Sequence, residues 1–95
     1  MKKTLNLKSI RDQIDKIDDK ILPLVIKRSK LVNLALATKT NKSQIVDKKR
    51  INKILAKIGN KSKIASANPS LIKTIWKSMI WNFIDFEKKE FKKRK

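Results

Sequence analysis

The 95-residue chain contains no cysteine and no histidine, and these two absences remove several classes of chemistry. Without thiols there is no disulfide and no cysteine nucleophile, and without imidazole there is no histidine acid–base catalysis. Nearly all zinc sites are excluded too, because they use one or both of these side chains. The eight acidic residues are scattered and form no cluster suited to Ca²⁺ or Mg²⁺. We therefore expect neither a metal nor a cofactor.

Long hydrophobic segments are also missing. The longest apolar run, Ile21 to Ile26, has six residues, whereas a helix that spans a bilayer needs ~20. The start of the chain, MKKTLNLKS, is positively charged but no apolar segment follows it, so no secretory signal is predicted. We therefore expect a cytoplasmic protein that does not bind a membrane.

Acidic residues are few, so the net charge is +18, which first suggests a nucleic-acid partner. However, all but four of the 26 basic residues are lysines, spread through a chain rich in Lys, Ile and Asn. No recognition motif accompanies them. A basic helical nucleic-acid-binding protein is therefore only a remote alternative, and no nucleic-acid partner is expected. The arginines are more informative, since lysine lacks their planar, bidentate fork; they are Arg11, Arg28, Arg50 and Arg94.

Hydrophobic periodicity predicts a long first helix, from Leu7 to about Lys39, capped by Asn6 or Thr4. Its apolar seam follows alternating spacings of four and three: Ile10, Ile14, Ile17, Ile21, Leu24, Arg28, Leu31 and Ala35. The phase passes through Pro23 unchanged, so we expect a kink there rather than a break.

Two further helices are predicted after a polar loop, residues 40–44. Asp47 is a suitable N-cap for the second helix, and Gly59 followed by Asn60 predicts its end. Residues 61–67 form a connector, and Asn68-Pro69 then predicts the start of a third helix that runs to about Phe91. Residues 92–95 are predicted to be a frayed basic tail. The fold class is therefore all-α, a single domain over residues 1–95.

The length of the first helix predicts a dimer. Its thirty-odd residues would span ~50 Å, whereas a compact 95-residue monomer has a radius of gyration of only ~12 Å. One chain of this size cannot cover the whole seam. We therefore expect a three-helix protomer in an intertwined homodimer.

Arg28 is the anomaly in this seam, because its guanidinium keeps its charge and must meet an anion. Lys39, eleven residues on, lies ~16 Å away on nearly the same helix face, so both side chains could converge on one small anion. Arg11 is ~25 Å before Arg28, so it would reach a site of this kind only in an antiparallel partner chain. Taken alone, Arg28 is as well explained by pairing with an acid of the partner.

The third helix carries an apolar and aromatic stripe at helical spacing, made by Trp76, Ile80 and Phe83 and continued by Glu87. A residue in that series faces the core. Glu87 is therefore predicted to face inward, although a place at the rim of the core is the simpler alternative for an isolated glutamate.

Taken together, the motifs resemble those of the all-helical chorismate mutases, a family that also includes isochorismate pyruvate lyases. The segments that carry the resemblance are LNLKSIRDQIDKIDDKILPLVIKRSKL, Lys39, IVDKKR and IWKSMIWNFIDFE. It covers roughly residues 5 to 90. The implied fold is a three-helix protomer in an intertwined dimer, which agrees with the expectation from helix length.

The resemblance implies six substrate-binding residues, three of which (Arg28, Lys39 and Glu87) would be catalytic: Arg11, Arg28, Lys39, Asp47, Arg50 and Glu87. Arg28 would bind a carboxylate of chorismate, and Arg11 would do so from the other subunit. Lys39 would contact a carboxylate and the ether oxygen of the enolpyruvyl group.

The remaining three residues would complete the site. Asp47 and Arg50 would form its second wall, and Glu87 would donate a hydrogen bond to the ether oxygen. An ionised Glu87 would repel that oxygen, so activity should favour mildly acidic pH. The pericyclic rearrangement of chorismate to prephenate needs positioning and charge stabilisation but no nucleophile.

Two positions depart from the family pattern. Ile51 stands where many mutases carry a glutamate that binds the ring hydroxyl of the substrate. Phe83 replaces a small hydroxyl residue found in some members. Both changes are compatible with isochorismate pyruvate lyase, which stays the alternative activity. A non-catalytic helical dimerisation module is a further alternative, although it leaves the spacing of the arginines unexplained.

Overall fold

A computed structural model describes residues 6–94, and these form three α-helices with no strand among them. The helices are α1 (Leu7–Ala37), α2 (Lys48–Ile64) and α3 (Pro69–Lys93), and a short 3₁₀ helix, Lys42–Gln44, lies between the first two. The predicted all-α, three-helix class is confirmed. Over the described residues, none of the helices combines the length and the apolar character that crossing a membrane requires.

Helix α1 is continuous through Pro23, as predicted. Asn6 acts as its cap, with Oδ1 accepting from the backbone N–H of Lys8 at 2.9 Å; the other candidate, Thr4, lies outside the described residues. The predicted end at about Lys39 was two residues too far. The helix ends at Ala37, and the N–H of Lys39 turns back to the Leu36 carbonyl at 3.0 Å. Lys39 therefore stands on the loop that follows α1.

Helix α2 begins where predicted and ends later. Asp47 caps it, because its Oδ1 accepts from the N–H of Arg50 at 3.0 Å. The predicted stop at Gly59 and Asn60 was wrong, since the helix continues to Ile64. Gly59 serves a different purpose: a Cβ there would lie 2.9 Å from Cδ of Lys73, so the missing side chain leaves room for the lysine stem from α3.

A Schellman motif terminates α2 instead. Ser66 has φ 58°, the left-handed conformation that such motifs require. Its N–H donates to the Lys63 carbonyl at 3.1 Å, and the N–H of Ala67 donates to the Ser62 carbonyl at 2.9 Å. Serine adopts this conformation less readily than glycine. The true helix end therefore carried no strong signal in the sequence.

Helix α3 opens on Asn68 and Pro69 as predicted, with the Asn68 Oδ1 accepting from the N–H of Leu71 at 3.1 Å. It ends at Lys93, two residues beyond the predicted end at Phe91. Arg94 then donates from Nη2 to Asn33 Oδ1 at 2.6 Å. Part of the predicted tail is thus helical, and Lys95 lies outside the described residues.

The chain divides into two compact units, Met1–Leu31 and Val32–Lys95. In the second unit, Leu36, Ile45, Ile80 and Ile84 form the buried core. Around that core pack partly buried apolar side chains: Val46, Ile51, Ile54, Leu55, Trp76 and Phe91. The loop after α1 is therefore anchored through Ile45 to α3. The assignment of all 95 residues to one domain stays a prediction.

In the first unit, the apolar seam of α1 is exposed. Ile14, Ile17 and Leu24 have exposed fractions of 50%, 54% and 67%. An apolar stripe of this length is usually covered by another surface, because its exposure to water is unfavourable. The predicted homodimer would supply that cover, and it stays a prediction.

Candidate active site

A buried ion pair joins the loop after α1 to α3. The ammonium Nζ of Lys39 lies 2.8 Å from Oε2 of Glu87, close enough for a charge-assisted hydrogen bond. The side chain of Glu87 is only 8% exposed and that of Lys39 is 20% exposed. Glu87 follows Ile80 and Ile84 on the core-facing side of α3, which agrees with the inward orientation predicted from the spacing.

The loop holds Lys39 in place at its backbone. Thr40, the next residue, donates from its N–H to Oε1 of Gln44 at 2.6 Å, and Asn41 donates to the same oxygen at 3.1 Å. Ile45, 3% exposed, then fixes the far end of the loop in the core. Lys39 is thus fixed on both sides, by Gln44 near its backbone and by Glu87 at its ammonium group.

A surface pocket of about 660 Å³ opens beside this lysine. It is lined by the end of α1, the loop and the start of α2: Thr38, Lys39, Ser43, Gln44, Val46, Asp47 and Lys48. Two ammonium groups, one carboxylate and three neutral polar side chains share this lining. The pocket is large enough for a small organic molecule, and its cations suit an anionic one.

The predicted site residues of the second unit are only partly brought together. Lys39 and Asp47 both line the pocket, and Glu87 is bonded to Lys39. The carboxylate of Asp47 also caps α2, so one of its oxygens is engaged. Arg50 lies in the first turn of α2 with an exposed side chain and does not line the pocket.

Arg11 and Arg28 belong to the first unit. Arg11 is exposed and Arg28 is half-buried, both on α1. Their participation in the same site, with Arg11 donated by a partner chain, stays a prediction.

Five lining residues were not predicted from the sequence: Ser43, Gln44, Lys48, Thr38 and Val46. The loop that carries the first two has no periodicity, so spacing gave no sign that its side chains face a pocket. Lys48 is one lysine among many. In the part of the chain that the structure describes, no group of three or more acidic, histidine or cysteine residues is arranged to hold a metal ion.

Comparison with known families identifies the chain. The model of the family described as chorismate mutase type II matches residues 10–88. The protein belongs to the chorismate mutase type II family. No curated protein matches the chain. The matched range contains all six predicted site residues, and the family supports chorismate mutase-type activity on a small-molecule substrate.

The chorismate mutase type II family acts on a small-molecule substrate. Chorismate is a dianion that carries an enolpyruvyl ether, and a site for such a molecule needs cations and hydrogen-bond donors more than nucleophiles. The pocket lining supplies two ammonium groups, from Lys39 and Lys48, and the first of these is paired with Glu87.

Proposed function

We propose that this protein is a chorismate mutase, which converts chorismate to prephenate in aromatic amino-acid biosynthesis. The observation that carries the proposal is the Lys39–Glu87 pair at 2.8 Å, beside a polar pocket in a chain of this family. The reaction is an isomerisation in which the ether C–O bond breaks as a new C–C bond forms. No proton, electron or group is exchanged with the protein.

Lys39 is proposed to stabilise the charge that develops on the ether oxygen as the C–O bond breaks. Lys39 lines the pocket and its side chain is mostly shielded from water, where such an interaction is stronger than in solution. Glu87, in its protonated form, is proposed to donate a second hydrogen bond to that oxygen. Arg28 and Arg50 would bind carboxylates, and Asp47 would form part of the wall.

The active form is proposed to be an intertwined homodimer in the cytoplasm, with Arg11 reaching the partner's site. The exposed apolar side chains of α1 support the dimer, since a second copy of the same helix would cover them. In this arrangement the dimer interface and the substrate site form together.

The test offers chorismate and isochorismate to one preparation of the purified protein. We expect consumption of chorismate with formation of prephenate. Absence of prephenate under conditions where the protein is folded would refute the proposal.

A second candidate is isochorismate pyruvate lyase, and Ile51 favours it. Ile51 is half-buried and packs against the core, so no carboxylate at this position is available for the ring hydroxyl of chorismate. Salicylate formed from isochorismate faster than prephenate from chorismate would assign the lyase activity instead.

The Glu87→Gln variant tests whether Glu87 acts as a hydrogen-bond donor. In the pair with Lys39 the carboxylate accepts from the ammonium at 2.8 Å, whereas the proposed bond to the ether oxygen needs a donor. We expect Glu87→Gln to keep its turnover of chorismate, because the amide supplies a donor at the same position. Steady-state rates of the wild type and the variant provide the measurement. Loss of turnover in a folded Glu87→Gln protein would contradict the donor role.

A further inference from the structure

The orientation of the Gln44 carboxamide is determined by its hydrogen bonds. Oε1 accepts from the backbone N–H groups of Thr40 and Asn41, at 2.6 and 3.1 Å. Backbone amides only donate, so the atom that faces them must be the oxygen. The Nε2 group is therefore directed away from these two amides.

The Nε2 group of Gln44 is available for a ligand. Gln44 lines the pocket next to Lys39 and Lys48, and no described residue accepts a hydrogen bond from its Nε2. Because its oxygen is held by two bonds, the side chain loses little additional freedom when a ligand binds. The amide is therefore a preorganised donor in the pocket wall.

We propose that Gln44 is a substrate-binding residue, whose Nε2 donates to a carboxylate oxygen of the dianion in this pocket. The inference rests on the proposed function and adds a contact to the same site. A carboxylate offers about four acceptor positions, and the lysines cannot fill them all because Lys39 is shared with Glu87. The only carboxylate of the lining, Asp47, repels an anion and caps α2, so a neutral donor in the same lining helps to orient the substrate.

One variant distinguishes whether Nε2 of Gln44 contacts a carboxylate or the hydroxyl group of the substrate. Gln44→Glu keeps an oxygen for the N–H groups of Thr40 and Asn41 but replaces the donor by a negatively charged oxygen. Against a substrate carboxylate it should raise KM for chorismate about 10- to 100-fold, the range for losing a hydrogen bond to a charged group. The effect on kcat should be smaller. If residue 44 instead contacts the substrate hydroxyl, the new carboxylate would accept a hydrogen bond from it, and KM would stay the same or decrease.

The matched control is Asn60→Asp, which changes the net charge equally on the exposed surface of α2, away from the pocket. It should leave KM within about twofold of the wild type. An unchanged or lower KM in Gln44→Glu, or an equal increase in Asn60→Asp, would overturn the inference.

A direct measurement keeps the inference testable if the variant folds poorly. The chain has two glutamines, Gln13 and Gln44, so their side-chain NH₂ signals in protein labelled with ¹⁵N at glutamine are assigned by comparison with a Gln13 variant. Chorismate should shift the Gln44 signal and not that of Gln13. If the wild type turns over chorismate without this shift, the inference fails and the proposed function stands. If the shift occurs in an inactive protein, the proposed function fails and the binding role stands.

Discussion

Lys39→Met is expected to lower kcat/KM for chorismate by about 10³-fold, the upper range for removing one electrostatic contact to developing charge. Methionine keeps much of the volume of the lysine stem and removes only the ammonium. The ammonium of Lys39 forms an ion pair with Glu87 at 2.8 Å, and the substitution removes it. The measurement is steady-state turnover of chorismate at fixed ionic strength.

The same substitution should reduce the free energy of unfolding by about 2 kcal/mol, because it leaves a buried carboxylate without its cation. Lys57→Met is the matched control, since it removes the same charge from the exposed face of α2, outside the pocket. Chemical denaturation of the three proteins would compare their stabilities. Lys57→Met should resemble the wild type in both stability and turnover.

A double variant separates the catalytic from the structural effect of Lys39. Adding Glu87→Gln to Lys39→Met replaces the unpaired carboxylate by a neutral amide, so stability should largely return while activity stays low. If activity returns together with stability, Lys39 supports the fold and does not act on the substrate.

The Lys39–Glu87 pair also explains how a buried carboxylate is tolerated beside the proposed site for an anion. With the ammonium at 2.8 Å, the negative charge of Glu87 is balanced at short range. A substrate carboxylate would compete with Glu87 for the same ammonium.

Periodicity predicted the parts of the fold and site that regular helices position. The four–three–four spacing from Trp76 placed Glu87 inward, and its burial agrees with that spacing. Local chemistry was less reliable: Gly59 predicts the end of α2, yet the helix continues to Ile64 and is terminated by a turn in which Ser66 adopts a positive φ. Lys39 was assigned to α1 although it lies on the loop, because helix propensity does not locate the last turn.

The rest of the site could not be predicted because it depends on contacts distant in sequence. Gln44 faces the pocket since Ile45 is drawn into a core made by α3, and nothing within the loop itself indicates this. The proposed contribution of Arg11 would depend on a second copy of the chain. The spacing of residues along α1 predicts a second protomer but does not specify where that protomer lies.

Arg28→Ala is the other substitution with a large expected effect. It should lower kcat/KM for chorismate by about 10³-fold, since it removes a bidentate cation proposed for a substrate carboxylate. Arg28→Lys should recover only part of the activity, because an ammonium lacks the planar fork. The dimer should remain assembled, since the apolar side chains of the α1 seam would supply most of its interface.

Sedimentation of Arg28→Ala at the concentration used for the assay separates the two interpretations of this residue. A dimer without activity would place Arg28 in the substrate site. A monomer would identify it as a seam arginine that pairs with an acid of the partner, and the loss of turnover would then follow from loss of the second chain. Mixing the Arg28→Ala and Arg11→Ala proteins provides the comparison. If Arg11 acts in trans, each heterodimer should contain one intact site and activity should return. If both arginines serve the site of their own chain, the heterodimer has no intact site.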